Sequence, residues 1–166
     1  MVSSLFRAQF SCLINKNGPR KPSTYGAPMD DERRAKRRAV VAEHMESENR
    51  LDFEATIATF SHPRYELMGS GVVHEGEARV REYFRSSRAE FPDQRNENVE
   101  LRDLDDGVLA EFDLLGTHAR TGGTFRSRIV AMFLFDDSPD NPRIICERVY
   151  FDRQQISDQI RSSTSS

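Results

Sequence analysis

The sequence contains no tryptophan, only two cysteines and no long run of apolar residues. Cys12 and Cys146 stand far apart in different contexts. A disulfide framework and a paired-cysteine metal site are therefore excluded, and a reducing compartment is the default. No stretch approaches the roughly 18 consecutive apolar residues of a transmembrane helix. We therefore expect a cytoplasmic protein that does not span a membrane.

A strong excess of charge of either sign is also missing. The 24 Lys and Arg residues oppose 27 Asp and Glu residues, which gives a net charge of -3. Without a basic field, nucleic-acid binding is not expected. The four histidines lack the spacing of paired metal ligands, and no glycine-rich phosphate loop or dinucleotide fingerprint occurs. The motifs therefore predict no metal site and no nucleotide site.

The first 29 residues differ from the rest of the chain. They contain basic and hydroxyl residues but no acid, and Pro22, Gly26 and Pro28 interrupt them. This composition suits a disordered extension, a start site misplaced upstream of Met29, or a targeting peptide. One domain is expected over residues 30–160, because a chain of 166 residues can bury one core. Residues 161–166 are expected to form a disordered tail.

Three helices are predicted in the first half of the domain. Residues 30–47 begin with acids and are rich in helix formers, and we interpret their basic cluster as a solvated face. A second helix is predicted over residues 50–60, before Pro63. A third is predicted over residues 77–91, before Pro92.

The remaining segments have the alternating pattern of strands. Residues 64–76 predict a short hairpin, and His62 and His74 are interpreted as loop residues near its turns. After the third helix, a meander of four strands is predicted from residue 97 to residue 152, with Val99 and Leu101 of its first strand facing inward. Early helices and late strands together imply an α+β fold, with helices packed on one face of a curved sheet.

One of these strands ends in a histidine. Alternate residues along residues 108–118 share a face, so His118 lies on the same inward side as Phe112 and Leu114. An imidazole placed there could carry protons near neutral pH. The alternative is a strand-end histidine that bonds to the backbone.

The last strand carries two carboxylates. Glu147 shares a face with Val149 and Phe151, so a side chain buried there would have a perturbed pKa. Asp152 follows the strand and could act as an acid or base, but it could equally cap a short helix after it.

The order and spacing of these segments resemble the SnoaL-like polyketide cyclases of the NTF2-like superfamily, also called cystatin-like or ketosteroid-isomerase-like. The likeness is carried by residues 49–60, 65–84, 90–93 ("EFPD"), 116–135 (beginning "GTH") and 144–152 (ending "ERVYFD"). It implies a cone-shaped half-barrel, in which a curved, mostly antiparallel sheet wraps around three N-terminal helices and leaves an apolar pocket. Family members often pair through the outer sheet face, so a homodimer is expected.

The resemblance also implies a chemistry. Enzymes of this superfamily mostly work without a cofactor, taking a proton next to a carbonyl or activating water in an apolar cavity. His118 and Asp152 match family positions, so they are predicted to exchange protons with a small, largely apolar carbonyl compound. Tyr65 and Tyr150 could donate hydrogen bonds to an enolate oxygen, or they could be core aromatics. The predicted substrate-binding residues are Tyr65, Phe84, Phe112, Leu114, Phe133, Glu147 and Tyr150.

Two functions remain open from the sequence. The first is a cofactor-independent isomerase, cyclase or hydratase. The second is a non-catalytic module that binds a hydrophobic ligand or a protein partner in the same cone. The enzyme is favoured if His118 and Asp152 converge in a closed apolar cavity, and the module is favoured if they face solvent or if aromatic side chains fill the cavity.

Overall fold

The computed structural model describes residues 31–136 and 138–164 of the chain, so the predicted extension at residues 1–29 lies outside the described residues. The sheet within this part has the strand order β2-β1-β6-β5-β4-β3 and is curved and open. The predicted α+β fold is confirmed. None of the described helices is long and apolar enough to cross a membrane. The elements are α1 (Asp31–Asn49), α2 (Phe53–Ala58), β1 (Arg64–Leu67), β2 (Val72–Glu75), α3 (Glu77–Glu90), β3 (Arg95–Asp103), β4 (Gly107–Thr117), β5 (Thr124–Phe135), β6 (Ile144–Tyr150) and α4 (Arg153–Ser163).

The sheet is antiparallel except where β1 runs parallel to β6. Its longest pairing joins β4 to β5, from Gly107 opposite Leu134 to Thr117 opposite Thr124. On β5, Ile129, Ala131 and Phe133 are buried, whereas the residues between them are half-buried. Alternate burial of this kind places one face of the sheet against the helices.

The core forms where α1 and α3 pack on this inner face. Val41 of α1 and Val80 and Phe84 of α3 are buried in one cluster with Phe133 of β5. Burial of each such side chain contributes about 1.5–3 kcal/mol relative to its exposure to water. The helices are therefore held by apolar contact, and the polar groups among them need partners inside the protein.

Two positions correct the sequence interpretation. Arg37 of α1 is buried, although the basic cluster was predicted to be solvated. Its guanidinium lies 5.2 Å from the ring centre of Phe135 and donates a hydrogen bond to the carbonyl of Asp105. Val99 of β3 is 40% exposed, although an inward direction was predicted. A register shift between Glu97 and residue 100 interrupts the alternation that the prediction assumed.

The C-terminal segment is a helix and not an unstructured tail, at least as far as Ser163. Gln155, Gln159 and Ser163 of α4 all bond to β5: for example, the Gln159 Oε1 accepts from the amide of Arg126 at 2.9 Å. The prediction of disorder from residue 161 was wrong for residues 161–163. Helix α4 covers one end of the sheet and closes part of the site described next.

Candidate functional site

A cavity of about 430 Å³ lies between α3, α4 and the inner face of the sheet, and we name it the α3–α4 cavity. A mostly apolar hollow with a few polar groups is the usual form of a small-molecule site. Its apolar walls include Leu67, Phe91, Leu114, Phe125, Ile129, Val149 and Phe151, and its polar groups include His74, Tyr83, Ser87, Glu90, Gln94 and Arg153.

His74 of β2 and Tyr83 of α3 stand side by side in the wall of this cavity. Their rings are stacked, with centres 4.7 Å apart and planes 28° apart. Burial, with the positive charge of Arg79 nearby, lowers the pKa of His74 below its ordinary value of 6.5. Burial, reinforced by the negative charges of Glu48 and Glu147, raises the pKa of Tyr83 far above its ordinary value. At pH 7 the cavity therefore contains a neutral imidazole, which can accept a proton, beside a neutral phenol, which can donate a hydrogen bond.

A second polar group lies largely inside the protein, and we name it the buried cluster: His44, Glu48, Tyr65 and Glu147. The His44 side chain has no exposed surface. Its Nδ1 lies 2.8 Å from the hydroxyl of Thr59, and its Nε2 lies 2.9 Å from the hydroxyl of Tyr65. The Tyr65 hydroxyl also lies 2.9 Å from Oε1 of Glu48. Two carboxylates and an imidazole therefore meet around one phenol.

Glu147 is the least satisfied member of the buried cluster. It is 5% exposed, and its Oε2 lies 3.3 Å from Nε2 of His44 without forming a hydrogen bond of acceptable geometry. Burial raises the pKa of Glu147, although the neighbouring imidazole opposes this. Burial lowers the pKa of His44, but Glu147 and Glu48 outweigh it and the net direction is upward. The pair therefore retains protons at higher pH than the two groups would in water.

Local structure explains how the buried cluster forms. His44 and Glu48 are four residues apart on α1, so they lie on one face of the helix. Tyr65 and Glu147 are direct neighbours in the parallel pairing of β1 with β6. The Tyr83 ring packs 5.6 Å from the Tyr65 ring, so one aromatic layer separates the cluster from the α3–α4 cavity.

The structure does not bring the predicted proton pair together. His118 lies in the turn between β4 and β5, where its Nδ1 is 2.9 Å from the hydroxyl of Thr121. Asp152 accepts a hydrogen bond from the amide of Gln155 and caps α4. Neither lines the α3–α4 cavity, and no contact within residues 31–136 and 138–164 joins them. Asp152 instead borders an open, polar groove of about 600 Å³ beside Gly69.

The predicted substrate-binding residues divide among four environments. Of the seven, only Leu114 lines the α3–α4 cavity. Tyr65 and Glu147 belong to the buried cluster, and Tyr150 is 42% exposed. Phe84, Phe112 and Phe133 are buried in the apolar core.

Sequence reasoning missed the histidines that matter most. His74 was interpreted as a loop residue, but it lies in β2 opposite Tyr65. His44 was discounted because only His–His and Cys–Cys spacings were considered as metal motifs. A usable signal was present: His44 and Glu48 share a helix face and flank the apolar Met45. Polar residues that follow an apolar stripe at helical spacing indicate a buried site.

Sequence comparison identifies the family. A sequence profile described as a SnoaL-like domain matches residues 41–138, which is more than half of the chain. The chain belongs to the SnoaL-like family. The resemblance drawn from the sequence is thereby confirmed. A comparison of this SnoaL-like protein with curated proteins finds no match.

Solved structures with the same fold share little sequence with this SnoaL-like protein. A candidate polyketide cyclase from Xanthomonas campestris pv. campestris is 20% identical, with a TM-score of 0.69 over 77% of this chain and 98% of the other. SalBIII, an epoxide hydrolase/cyclase-like enzyme of pyran ring formation in the polyether salinomycin, is 22% identical, with a TM-score of 0.61 over 75% and 96%. A ketosteroid isomerase-like protein from Catenulispora acidiphila, in complex with trimethylamine, is 12% identical, with a TM-score of 0.65 over 76% and 95%. At these identities the likeness establishes the fold.

Proposed function

We propose that this SnoaL-like protein is a cyclase-type enzyme that performs acid/base chemistry without a cofactor. Its substrate is a small, largely apolar carbonyl compound bound in the α3–α4 cavity. One observation carries the proposal: the neutral His74 imidazole and the neutral Tyr83 phenol stand side by side in an apolar wall. The family membership and the cyclase-type neighbours support the class of reaction.

The two side chains have complementary roles in the proposed reaction. His74 takes a proton from the carbon next to the carbonyl, so the C–H bond breaks, an N–H bond forms, and the electron pair moves to the carbonyl oxygen. Tyr83 donates a hydrogen bond to that oxygen as its charge develops. Return of the proton to another carbon completes an isomerisation. Attack by the enolate carbon on a second carbonyl instead forms a C–C bond and an alkoxide, which takes the proton from His74 and so completes a ring closure.

The rest of the cavity supports this assignment. Leu114, Ile129 and Val149 exclude water from the reacting carbon, which strengthens the hydrogen bond from Tyr83. Glu90 and Arg153 supply charges at the same cavity for a polar end of the substrate. His118 and Asp152 have no part in this mechanism, because each caps local backbone or a turn.

The proposal is tested by proton exchange in a model ketone. We expect the protein to accelerate deuterium incorporation at C2 of 1-tetralone, an apolar aromatic ketone, in D₂O followed by NMR. His74→Gln should slow the catalysed exchange by about 100-fold or more, because removal of a general base costs that much. His62→Gln is the matched control, since His62 lies outside the cavity and pairs with Glu75.

A second function is favoured by the placement of His118 and Asp152. The enzyme was favoured if these two side chains converged in an apolar cavity. Instead, the His118 imidazole bonds to the Thr121 hydroxyl in its own turn, and the Asp152 carboxylate accepts from the amide of Gln155. The alternative is a non-catalytic module that holds a hydrophobic ligand. Shifts of the Leu114 and Ile129 methyl signals on addition of 1-tetralone, without any exchange at C2, would support the module and contradict the enzyme.

We further propose that the protein works in the cytoplasm as a homodimer formed through the outer face of the sheet. Cys146 is a buried free thiol, as a reducing compartment allows. Arg128 and Arg126 pair with Glu111 and Asp113 on neighbouring strands, and such pairs could exchange across a two-fold axis. Light scattering after gel filtration should give twice the chain mass, and Arg128→Glu should lower it; a single-chain mass for the unaltered protein would contradict the dimer.

A further inference from the structure

The buried cluster contains an excess of hydrogen-bond acceptors. The Thr59 hydroxyl donates its hydrogen to the carbonyl of Thr56 at 2.6 Å, so it accepts the hydrogen bond from Nδ1 of His44. With its proton on Nδ1, a neutral His44 presents a lone pair at Nε2. That lone pair faces Oε2 of Glu147 at 3.3 Å and Oε1 of Glu48 at 3.7 Å.

The Tyr65 hydroxyl can satisfy one of these three acceptors. It lies 2.9 Å from both Nε2 of His44 and Oε1 of Glu48, but it carries a single hydrogen. Asn96 donates to the other oxygen of Glu48, at 3.1 Å, and does not relieve the mismatch. Within residues 31–136 and 138–164, Glu147 Oε2 has no hydrogen-bond partner of acceptable geometry, although its residue is only 5% exposed. Unpaired carboxylate oxygens at such burial are costly, so either a proton or a metal cation is needed among them.

We propose that His44 Nε2, Glu48 Oε1 and Glu147 Oε2 bind one divalent transition-metal ion. All three atoms lie within 4.8 Å of one another. Ligands about 2.1 Å from a tetrahedral zinc ion stand about 3.4 Å apart. This is close to the 3.3 Å and 3.7 Å that separate Nε2 of His44 from the Glu147 and Glu48 oxygens. An imidazole with two carboxylates is a donor set suited to Zn²⁺ and to neighbouring first-row ions.

The surroundings are those of a metal site. The Thr59 hydroxyl fixes the His44 tautomer that leaves Nε2 free to coordinate, and Asn96 orients Glu48. The Tyr65 hydroxyl is placed to complete the coordination. A proton on Nε2 of His44 could take the place of the metal ion. Its N–H would point to a single acceptor, however, and Glu147 Oε2 would still lack a donor in line with it. A metal ion reaches all three ligand atoms.

Metal binding is measured on the full chain after treatment with EDTA and dialysis. The protein is folded from guanidinium chloride in the presence of Co²⁺ or Zn²⁺, because His44 and Glu147 are almost fully buried in the native state. Bound metal is counted by mass spectrometry. We expect one ion per chain, visible absorption of coordinated Co²⁺, and a rise in Tm of several degrees with Zn²⁺. Glu147→Gln and Glu48→Gln should each weaken metal binding by about 100-fold or more. This exceeds the loss of affinity that follows when a residue that only hydrogen-bonds to a metal ligand is removed.

Glu66→Gln is the matched control. Glu66 is a similarly shielded carboxylate on β1, but it pairs with Arg148 and Arg64 outside the buried cluster. This variant should bind metal as the unaltered protein does, and circular dichroism shows whether each variant is folded. A metal content far below one ion per chain, or equal in the unaltered protein and a folded Glu147→Gln variant, would overturn the proposal. The inference does not depend on the function proposed for the α3–α4 cavity.

Discussion

His74 is half-buried and His44 is fully buried, and their pKa values shift in opposite directions. In the α3–α4 cavity, burial and Arg79 lower the pKa of His74. In the buried cluster, Glu147 and Glu48 outweigh burial and raise the pKa of His44. The same residue type is therefore kept neutral in the α3–α4 cavity and is surrounded by negative charge in the buried cluster.

This contrast separates two uses of buried polarity. A reacting group needs neighbours that do not occupy its lone pair. Tyr83 stacks on His74, and in the described part of the chain no hydrogen bond joins the two side chains. A buried polar group needs a hydrogen-bond or ionic partner for each of its polar atoms, so removal of a partner lowers stability strongly. The two regions should consequently respond very differently to substitution.

The largest effect is expected at the buried cluster. His44→Ala should lower the free energy of unfolding by about 3–5 kcal/mol, because it leaves the Glu147 and Glu48 carboxylates buried without their partner. Urea denaturation at pH 7 in EDTA measures it. His62→Ala, at an exposed position, should change the value by about 0.5 kcal/mol or less. Similar losses for both variants would show that the cluster is not held by His44.

The two tyrosines sharpen the comparison. Tyr65→Phe should cost about 1–3 kcal/mol, since it removes the hydroxyl that serves both His44 and Glu48. Tyr83→Phe should cost about 0.5 kcal/mol or less in stability while slowing exchange in 1-tetralone. Paired measurements of thermal unfolding and exchange on both variants test this. Loss of stability in Tyr83→Phe as large as in Tyr65→Phe would remove the distinction between the regions.

A smaller effect is expected at Asp152. Asp152→Ala should lower stability by about 1 kcal/mol through loss of the α4 cap, whereas Asp152→Asn should be nearly neutral because asparagine also caps well. Neither variant should change the rate of exchange in 1-tetralone. If Asp152→Asn abolished exchange in a protein of normal stability, Asp152 would be an acid or base as the sequence suggested.

The sequence predicted the elements better than their interactions. Alternating apolar residues located β4, a run that is apolar on both faces located β5, and Pro63 and Pro92 marked the ends of two helices. The exposed Val99 could not be predicted, because the register shift in β3 depends on pairing with β4. Helix α4 was predicted only as a short helix that Asp152 could cap, since none of its residues is fully buried and its apolar signal is weak.

The candidate site was harder to predict because its parts are distant in sequence. The predicted burial of Glu147 is present, yet its partners lie on α1 and on β1, about 100 and 80 positions away. His118 and Asp152 were selected because they match positions of the resembled family, and both stand at strand ends. At those places the backbone itself needs hydrogen bonds, and these side chains supply them.

The pKa shift of His74 is the smallest of the expected effects. It gives the most direct test of the central claim, that His74 is the reacting group of the α3–α4 cavity. An NMR titration of the His74 ring should give a pKa below 6.5. A lowered pKa means that the folded state favours the neutral ring, so His74 adds stability above about pH 6.5 that is lost as the pH falls through its folded pKa. Exchange in 1-tetralone should fall over the same range, because the protonated ring cannot act as a base. Tyr83→Ala should return the pKa toward 6.5, and 1-tetralone should shift the ring signals of the unaltered protein. A pKa at or above 6.5, unchanged by Tyr83→Ala and by the ketone, would contradict the account.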